Sequence, residues 1–159
     1  MVKILIIYYS RSGNTEKMAQ AVAEGAKQVK GADVEIRKVA EATNEDLLAA
    51  DAIIVGSPTY YGSMSGKVKE FIDDSVKIHG KLEGKVGAAF ASSGGTASGA
   101  ETTLLSILQA LLVHGMIVQG RSDDKHYGAA AVGAPDREAT ESCRRLGKKV
   151  AELTVKVKM

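Results

Sequence analysis

Cysteine, proline and tryptophan are scarce in this chain: its 159 residues contain one Cys, two Pro and no Trp. A single cysteine excludes a disulfide within the chain, a zinc site made of cysteines and a cysteine-ligated iron–sulfur cluster. Low cysteine usage is typical of reducing compartments, so we expect a cytoplasmic protein. The net charge of +2, from 21 Lys+Arg and 19 Asp+Glu, is too small and too scattered along the chain to indicate a nucleic-acid-binding surface.

Long apolar runs are also missing. Residues 4–9 form a short apolar run that ends in a polar turn, with no small-residue cleavage site after it. We therefore expect neither a signal peptide nor a membrane span. Hydrophobic residues make up 45% of the chain and charged residues 25%, which is typical of globular proteins. The length predicts a single domain, residues 1–159.

Five short apolar runs alternate with helical patterns, and they lie near residues 2–9, 34–39, 52–56, 86–91 and 116–118. This alternation predicts βαβ units and a parallel sheet covered by helices on both faces. Right-handed crossovers leave two candidate topologies, a six-stranded dinucleotide-binding fold and a five-stranded fold of order 2-1-3-4-5. Five strands favour the second, a three-layer α/β sandwich. Residues 120–133 are predicted to form one long loop.

Ligands of open α/β sheets bind at the carboxyl ends of the strands, so the loops there are the candidate site. The loop after the first strand runs directly into a helix and consists of Ser10, Arg11, Ser12, Gly13, Asn14 and Thr15. Hydroxyls, amides and a helix N-terminus can surround a phosphate, although Ser12 or Asn14 could instead cap the helix. The loop matches neither the G-x-x-x-x-G-K-[ST] nor the G-x-G-x-x-G pattern, which argues against a nucleotide triphosphatase and a dinucleotide fingerprint.

Two further loops follow the third and fourth predicted strands. The first contains Pro58, Thr59, Tyr60, Tyr61 and Gly62, and the second contains Ser92, Ser93, Gly94, Gly95, Thr96 and Ala97. Adjacent tyrosines suit a flat ligand, and a glycine-rich backbone can approach a polar ring edge closely. Each loop could alternatively be only a turn over the core edge or a flexible surface loop. The three loops together predict one planar, phosphorylated cofactor.

At these positions the sequence resembles a known family. Residues 10–15, S-R-S-G-N-T, fit the flavodoxin phosphate-loop pattern [ST]-x-[ST]-G-x-T. Residues 56–66, G-S-P-T-Y-Y-G-S-M-S-G, and the H-G-M at residues 114–116 resemble the WrbA-type NAD(P)H:quinone oxidoreductases. The resemblance implies a flavodoxin-like fold that binds FMN, with the first loop on the phosphate and the other two loops around the isoalloxazine. It also implies that His114 lies near the ring as a catalytic residue, and that the chain forms homodimers or homotetramers.

The chain departs from this family at three places. Ser12 stands where the family usually has Tyr, the Trp of the quinone pocket is missing, and the segment between the second and third strands is short. The resemblance implies transfer of two electrons from NAD(P)H to a quinone in a slot shaped by Tyr60 and Tyr61. Residues 10–15, 57–69 and 90–100 contain no Asp or Glu, so a reduced anionic flavin would not be destabilised by neighbouring carboxylates.

Two alternatives remain from the residues themselves. One is a flavodoxin-like electron carrier without direct NAD(P)H activity, which would need a protein partner and show a stable semiquinone; that result would mean that Asp123 and Asp124, or another carboxylate, reach the ring. The other is a non-enzymatic module that holds FMN as a structural or sensing ligand. His114 could equally cap a helix end, and Cys143 lies on an apolar helix stripe as a core thiol. The histidine spacing predicts no metal site.

Overall fold

The structure is a computed structural model that describes residues 1–123 and 125–159. It contains seven strands and five α-helices within these ranges. In chain order they are β1 (Val2–Tyr8), α1 (Asn14–Lys27), β2 (Ala32–Lys38), α2 (Asn44–Ala49), β3 (Ala52–Tyr60), β4 (Ser63–Met64), α3 (Gly66–Asp74), β5 (Val86–Ser93), α4 (Ala100–Val113), β6 (Ile117–Val118), β7 (Ala129–Val132) and α5 (Arg137–Lys158). A 3₁₀ turn, Ser75–Ile78, follows α3.

The main path through the sheet has the order β2-β1-β3-β5-β6, which confirms the predicted flavodoxin-like order. The expected number of five strands is wrong, because β4 pairs antiparallel with the end of β3 and β7 pairs with β5. The fifth position of the sheet is shared by two short strands: β6 lies beside the beginning of β5 and β7 beside its end. The chain leaves the sheet after Val118 and returns at Ala129, so the predicted loop 120–133 contains a strand.

Two apolar cores lie on opposite faces of the sheet. Ile4 and Ile6 of β1 pack on one face with α1 and α5, whereas Leu5 and Ile7 pack on the other face with residues of α3 and α4. Strands buried on both faces explain why these runs are almost continuously apolar. On the first face α1 and α5 touch backbone to backbone, because a Cβ added to Gly147 would lie 1.9 Å from the Val22 carbonyl oxygen.

The direction of the parallel strands determines where the loops meet. The carboxyl ends of β1, β3 and β5 lie at one edge of the sheet, since these strands are parallel neighbours. Helix α4 then returns toward the amino ends over 14 residues, a length of about 20 Å. Among the residues that the structure describes, no helix combines the length and the apolar character needed to cross a bilayer.

Candidate functional site

The first loop presents free helical N–H groups at the carboxyl edge of the sheet. Gly13 is the N-cap of α1 with a left-handed φ of 94°, and no side chain caps the helix there. The expected alternative of a cap by Ser12 or Asn14 is therefore not observed. The Gly13 N–H donates to Ser10 Oγ at 3.1 Å, which folds the loop back on itself. The uncapped first turn of α1 can accept an anion, because its N–H groups have no intrahelical partners.

A buried hydrogen bond joins the first loop to the third. Thr15 Oγ1 and Ser92 Oγ lie 2.8 Å apart, and both residues are buried. In the next position of α1, Glu16 accepts a hydrogen bond from the Tyr8 hydroxyl at 3.1 Å. Burial and this carboxylate together raise the pKa of Tyr8 to about 12. The Glu16 side chain is therefore held by the core-facing tyrosine of β1.

The second loop forms a tight hairpin between β3 and β4. Its two turn residues, Tyr61 and Gly62, have positive φ values of 50° and 75°. Tyr61 is fully exposed, while Tyr60 is partly exposed and contacts Tyr9 edge-on with ring centroids 6.4 Å apart. A left-handed backbone is unfavourable for a tyrosine, so the fold holds an exposed aromatic side chain at this edge despite its conformational cost.

The third loop is closed by its own hydroxyls. Ser93 and Ser98 both donate to the Gly95 carbonyl oxygen, at 3.0 Å and 2.6 Å. A Cβ added to Gly94 would meet nothing within 4 Å, so the backbone is accessible there. A cavity of about 320 Å³ lies beside this loop, between the beginnings of α4 and α5. Its wall includes Glu101, in the first turn of α4.

Helix α4 holds the second and third loops together through hydroxyl groups. The Thr103 hydroxyl oxygen lies within hydrogen-bond distance of Thr59 Oγ1, at 3.0 Å, and of the Gly99 carbonyl oxygen, at 2.8 Å. Ser106 Oγ accepts a hydrogen bond from the Met64 N–H at 3.1 Å. Thr103 and Ser106 were not predicted as site residues, because the sequence pattern of α4 indicated only an apolar helix. The available signal was the cluster of hydroxyl residues in the first two turns of a helix that is otherwise almost uniformly apolar.

Acidic residues flank the loops but do not lie within them, and Glu101, Asp136 and Glu138 line the cavity beside the third loop. Among the described residues, Glu16 and Glu101 occupy the first turns of the helices that follow the first and third loops. Asp123 accepts a hydrogen bond at 2.9 Å from Arg121, whose side chain is almost fully buried. Burial alone would raise the pKa of Asp123, but bonds from the Lys125 N–H and the Arg121 guanidinium hold this pKa below its usual value. Asp124 lies outside the described residues.

His114 does not join the three loops. It follows the last residue of α4, so the helix places it at the amino edge of the sheet, about 20 Å from the loops. Within one chain His114 therefore lies away from the three loops, and its role beside the ring stays a prediction. Its buried Nε2 is 2.7 Å from Ser75 Oγ, which ties the end of α4 to the 3₁₀ turn. Burial, and then nearby His79, lower the pKa of His114.

The remaining sequence predictions concern residues away from the loops. His79 and His126 are exposed, as expected. Cys143 lies on the buried face of α5, and burial raises the pKa of its thiol to about 12. Arg11 is exposed beside the first loop. Within residues 1–123 and 125–159, no group of three or more His, Cys, Asp or Glu side chains is placed to hold a metal ion.

Comparison with known proteins agrees with this geometry. The chain is 46% identical to a flavodoxin of Aquifex aeolicus, with 96% of this chain and 86% of that protein aligned. It is 39% identical to an NAD(P)H dehydrogenase (quinone) of Archaeoglobus fulgidus, over 99% of this chain and 100% of that protein. That alignment spans 191 positions, so the relative contains segments that this 159-residue chain lacks.

Solved structures give the same result for the fold. A WrbA-like flavodoxin from Agrobacterium tumefaciens superimposes with a TM-score of 0.82 and 28% identity, over 98% of this chain and 99% of that one. A flavodoxin from the domain Archaea superimposes with a TM-score of 0.79 and 31% identity, over 99% and 100%. The family model described as Flavodoxin domain matches residues 5–130, which include all three loops. The chain therefore belongs to the flavodoxin family.

Proposed function

We propose that the protein is an FMN-dependent oxidoreductase that transfers two electrons from NAD(P)H to quinones. The observation that carries the proposal is the meeting of three loops without Asp or Glu at the carboxyl ends of β1, β3 and β5. The relatives named NAD(P)H dehydrogenase (quinone), which align with almost the whole chain, support the same reaction. The proposal assigns this activity to one domain, residues 1–159.

The residues of the first loop fit an FMN phosphate. Gly13 has open space where a side chain would stand, so its backbone is accessible to a ligand. The hydroxyl and amide side chains of Ser10, Ser12, Asn14 and Thr15 would hold the phosphate together with the uncapped N–H groups of α1. The chain offers one such loop and no second glycine-rich fingerprint for an adenosine diphosphate, which favours FMN over FAD.

The other two loops would hold the flat part of the cofactor. FMN, when bound, supplies the hydride-accepting and hydride-donating ring that the reaction needs. Residues 58–62 and 92–97 would enclose this ring, and the exposed Tyr60 and Tyr61 would border the slot through which NAD(P)H and the quinone enter in turn. Arg11 is the one charged residue of the phosphate loop, and Glu16, which accepts a hydrogen bond from the Tyr8 hydroxyl, follows the loop in the first turn of α1.

This charge distribution favours paired electron transfer. A carboxylate beside a flavin disfavours further negative charge on the ring, and the loops that would contact the ring contain none. The alternative function is a flavodoxin-like electron carrier without direct NAD(P)H activity. Two observations favour that alternative: the identity to the Aquifex flavodoxin, and the positions of Glu101, Asp136 and Glu138 beside the third loop.

Anaerobic titration of the purified, flavin-loaded protein with NADH and with NADPH separates the two functions. We expect either nucleotide alone to bleach the flavin in one two-electron step, and benzoquinone to restore the oxidised spectrum with parallel double-reciprocal plots. Reduction only in separate one-electron steps, with no reaction toward either nucleotide, would establish the carrier instead. Chromatography of the extracted flavin against standards tests the cofactor, and recovery of FAD would contradict the site assignment.

The same proposal covers assembly and location. The family resemblance supports a homodimer or homotetramer, and the single cysteine supports a reducing, cytoplasmic compartment. NAD(P)H and quinone are the only partners proposed, without nucleic acid. Light scattering at micromolar concentration with FMN bound tests the assembly, and a strict monomer would exclude it.

A further inference from the structure

We propose that Thr103 is a positioning residue that couples the hairpin at residues 59–64 to the loop at residues 93–99 and so sets the width of the slot for the planar acceptor. Thr103 is fully buried and belongs to neither wall of the slot. The acceptor part of this inference rests on the proposed function, whereas the coupling between the two walls does not.

The hydrogen bonds of Thr103 exceed what its helix requires. A threonine within a helix commonly donates back to the carbonyl four residues earlier, and Thr103 does so to Gly99 at 2.8 Å. The same hydroxyl also reaches Thr59 Oγ1, at 3.0 Å, across 44 residues of sequence. Thr154 in α5 provides the contrast, since it is equally buried and donates only to the Val150 carbonyl oxygen. Of these two buried threonines, Thr103 is therefore the one with a hydrogen-bond partner outside its own helix, Thr59.

The two partners of Thr103 lie at the bases of the two walls. Gly99 is the last residue before α4 and ends the third loop. Thr59 pairs with Met64 where the β3–β4 hairpin begins. The backbones of the two walls also touch, because a Cβ added to Gly99 would lie 2.7 Å from Gly62 Cα. One buried hydroxyl therefore bonds to both walls at the point where they are closest.

The position of this contact determines what it controls. Tyr60 follows Thr59 directly, and Tyr61 comes next in a left-handed conformation at the turn of the hairpin. Loss of the Thr59 bond leaves the hydrogen bond from the Met64 N–H to Ser106 Oγ between the hairpin and α4. Because small displacements of positioning groups have large effects on bound substrates, we expect a looser hairpin to bind flat acceptors more weakly while the chemistry of the bound flavin is unchanged.

The test uses Thr103→Val, which keeps the buried shape and removes the hydroxyl, in the full-length protein as purified. Thr103→Ser restores the hydroxyl, and Thr154→Val makes the same change at the buried threonine that lacks a cross-element partner. We expect amide hydrogen exchange at Met64 to accelerate about fivefold in Thr103→Val, the equivalent of one neutral hydrogen bond. Thr103→Ser and Thr154→Val should exchange like the wild type. If Thr103→Val does not fold, Thr59→Val removes the same hydrogen bond at a residue that is only half-buried. We expect the same acceleration of amide exchange at Met64 in that variant.

The second readout is the effect of each variant on KM and on kcat, measured separately with benzoquinone as the acceptor. Thr103→Val should raise KM about fivefold with kcat within about twofold, and Thr103→Ser should restore KM. Equal Met64 exchange in Thr103→Val and Thr154→Val, or a fall in kcat at unchanged KM, would overturn the inference. Faster exchange in a protein whose wild type does not reduce quinones would refute the proposed function and still support the coupling of the two walls.

Discussion

The hydrogen bond between Thr15 and Ser92 gives a sharp test of how the first and third loops are held together. Thr15→Val keeps the volume of the side chain and removes its hydroxyl. In the wild type the buried Ser92 hydroxyl lies 2.8 Å from Thr15 Oγ1, and in the variant it loses this hydrogen bond. Loss of one partner of a buried pair costs the remaining group its desolvation free energy, about 1–3 kcal/mol. We therefore expect the free energy of unfolding to fall by this amount.

Urea unfolding of the flavin-free protein measures this change directly. The midpoint should fall while the slope with urea stays constant, because the same surface is exposed on unfolding. For a domain of this size, the melting temperature should fall by about 2–4 °C for each kcal/mol. The double variant Thr15→Val with Ser92→Ala removes both hydroxyls and should recover part of the loss, since a buried apolar pair leaves no polar group unsatisfied.

The double-mutant cycle identifies the result that would refute this reasoning. The two hydroxyls share one bond, so the effects of the single variants should not add, and their coupling should be at least about 0.5 kcal/mol. If Thr15→Val lowers the free energy of unfolding by less than about 0.5 kcal/mol, or if the effects of the two single variants add in the double variant, the two loops are held independently. The bond would then be incidental to the geometry of the site.

Three further predictions concern the phosphate loop, the helix contact and pH. Gly13→Val should abolish FMN binding, because its φ of 94° does not suit a branched residue, and Thr15→Ala should weaken binding by about 1.5–3 kcal/mol in equilibrium titration. Gly147→Ala should cost about 1–3 kcal/mol in urea unfolding because its Cβ would overlap α1, whereas Gly66→Ala, which has open space, should cost little. Burial and His79 lower the pKa of His114 in the folded protein, so the unfolded state binds this proton more readily, and stability that is complete above about pH 6.5 is lost as the pH falls below that value. Melting temperature should therefore drop more steeply toward pH 5 in the wild type than in His114→Gln.

The sequence predicted what depends on local pattern and on the geometry of parallel sheets. The buried strands, their order and the meeting of three loops follow from apolar runs alternating with helices, as β1 and β3 illustrate. The split fifth position could not be predicted, because β6 and β7 contain two and four residues and have no periodicity of their own. The position of His114 at the far end of α4 did not follow from the sequence, because the H-G-M motif carries no information on the 14-residue helix before it. The partner of Thr103 could not be predicted, because the hydroxyl cluster at the start of α4 does not by itself indicate a residue 44 positions away.

The two borders of the sheet have a consequence for how the chain behaves at high concentration. On one side the exposed strand β2 carries Glu35, Arg37 and Lys38. On the other side the border is divided between β6 and β7, neither of which is longer than four residues. An incoming strand from another molecule needs a long, flat and uncharged border with free backbone groups. Neither border provides one, so the fold resists the growth of intermolecular sheets, and the interruption between β6 and β7 limits the length of any such pairing.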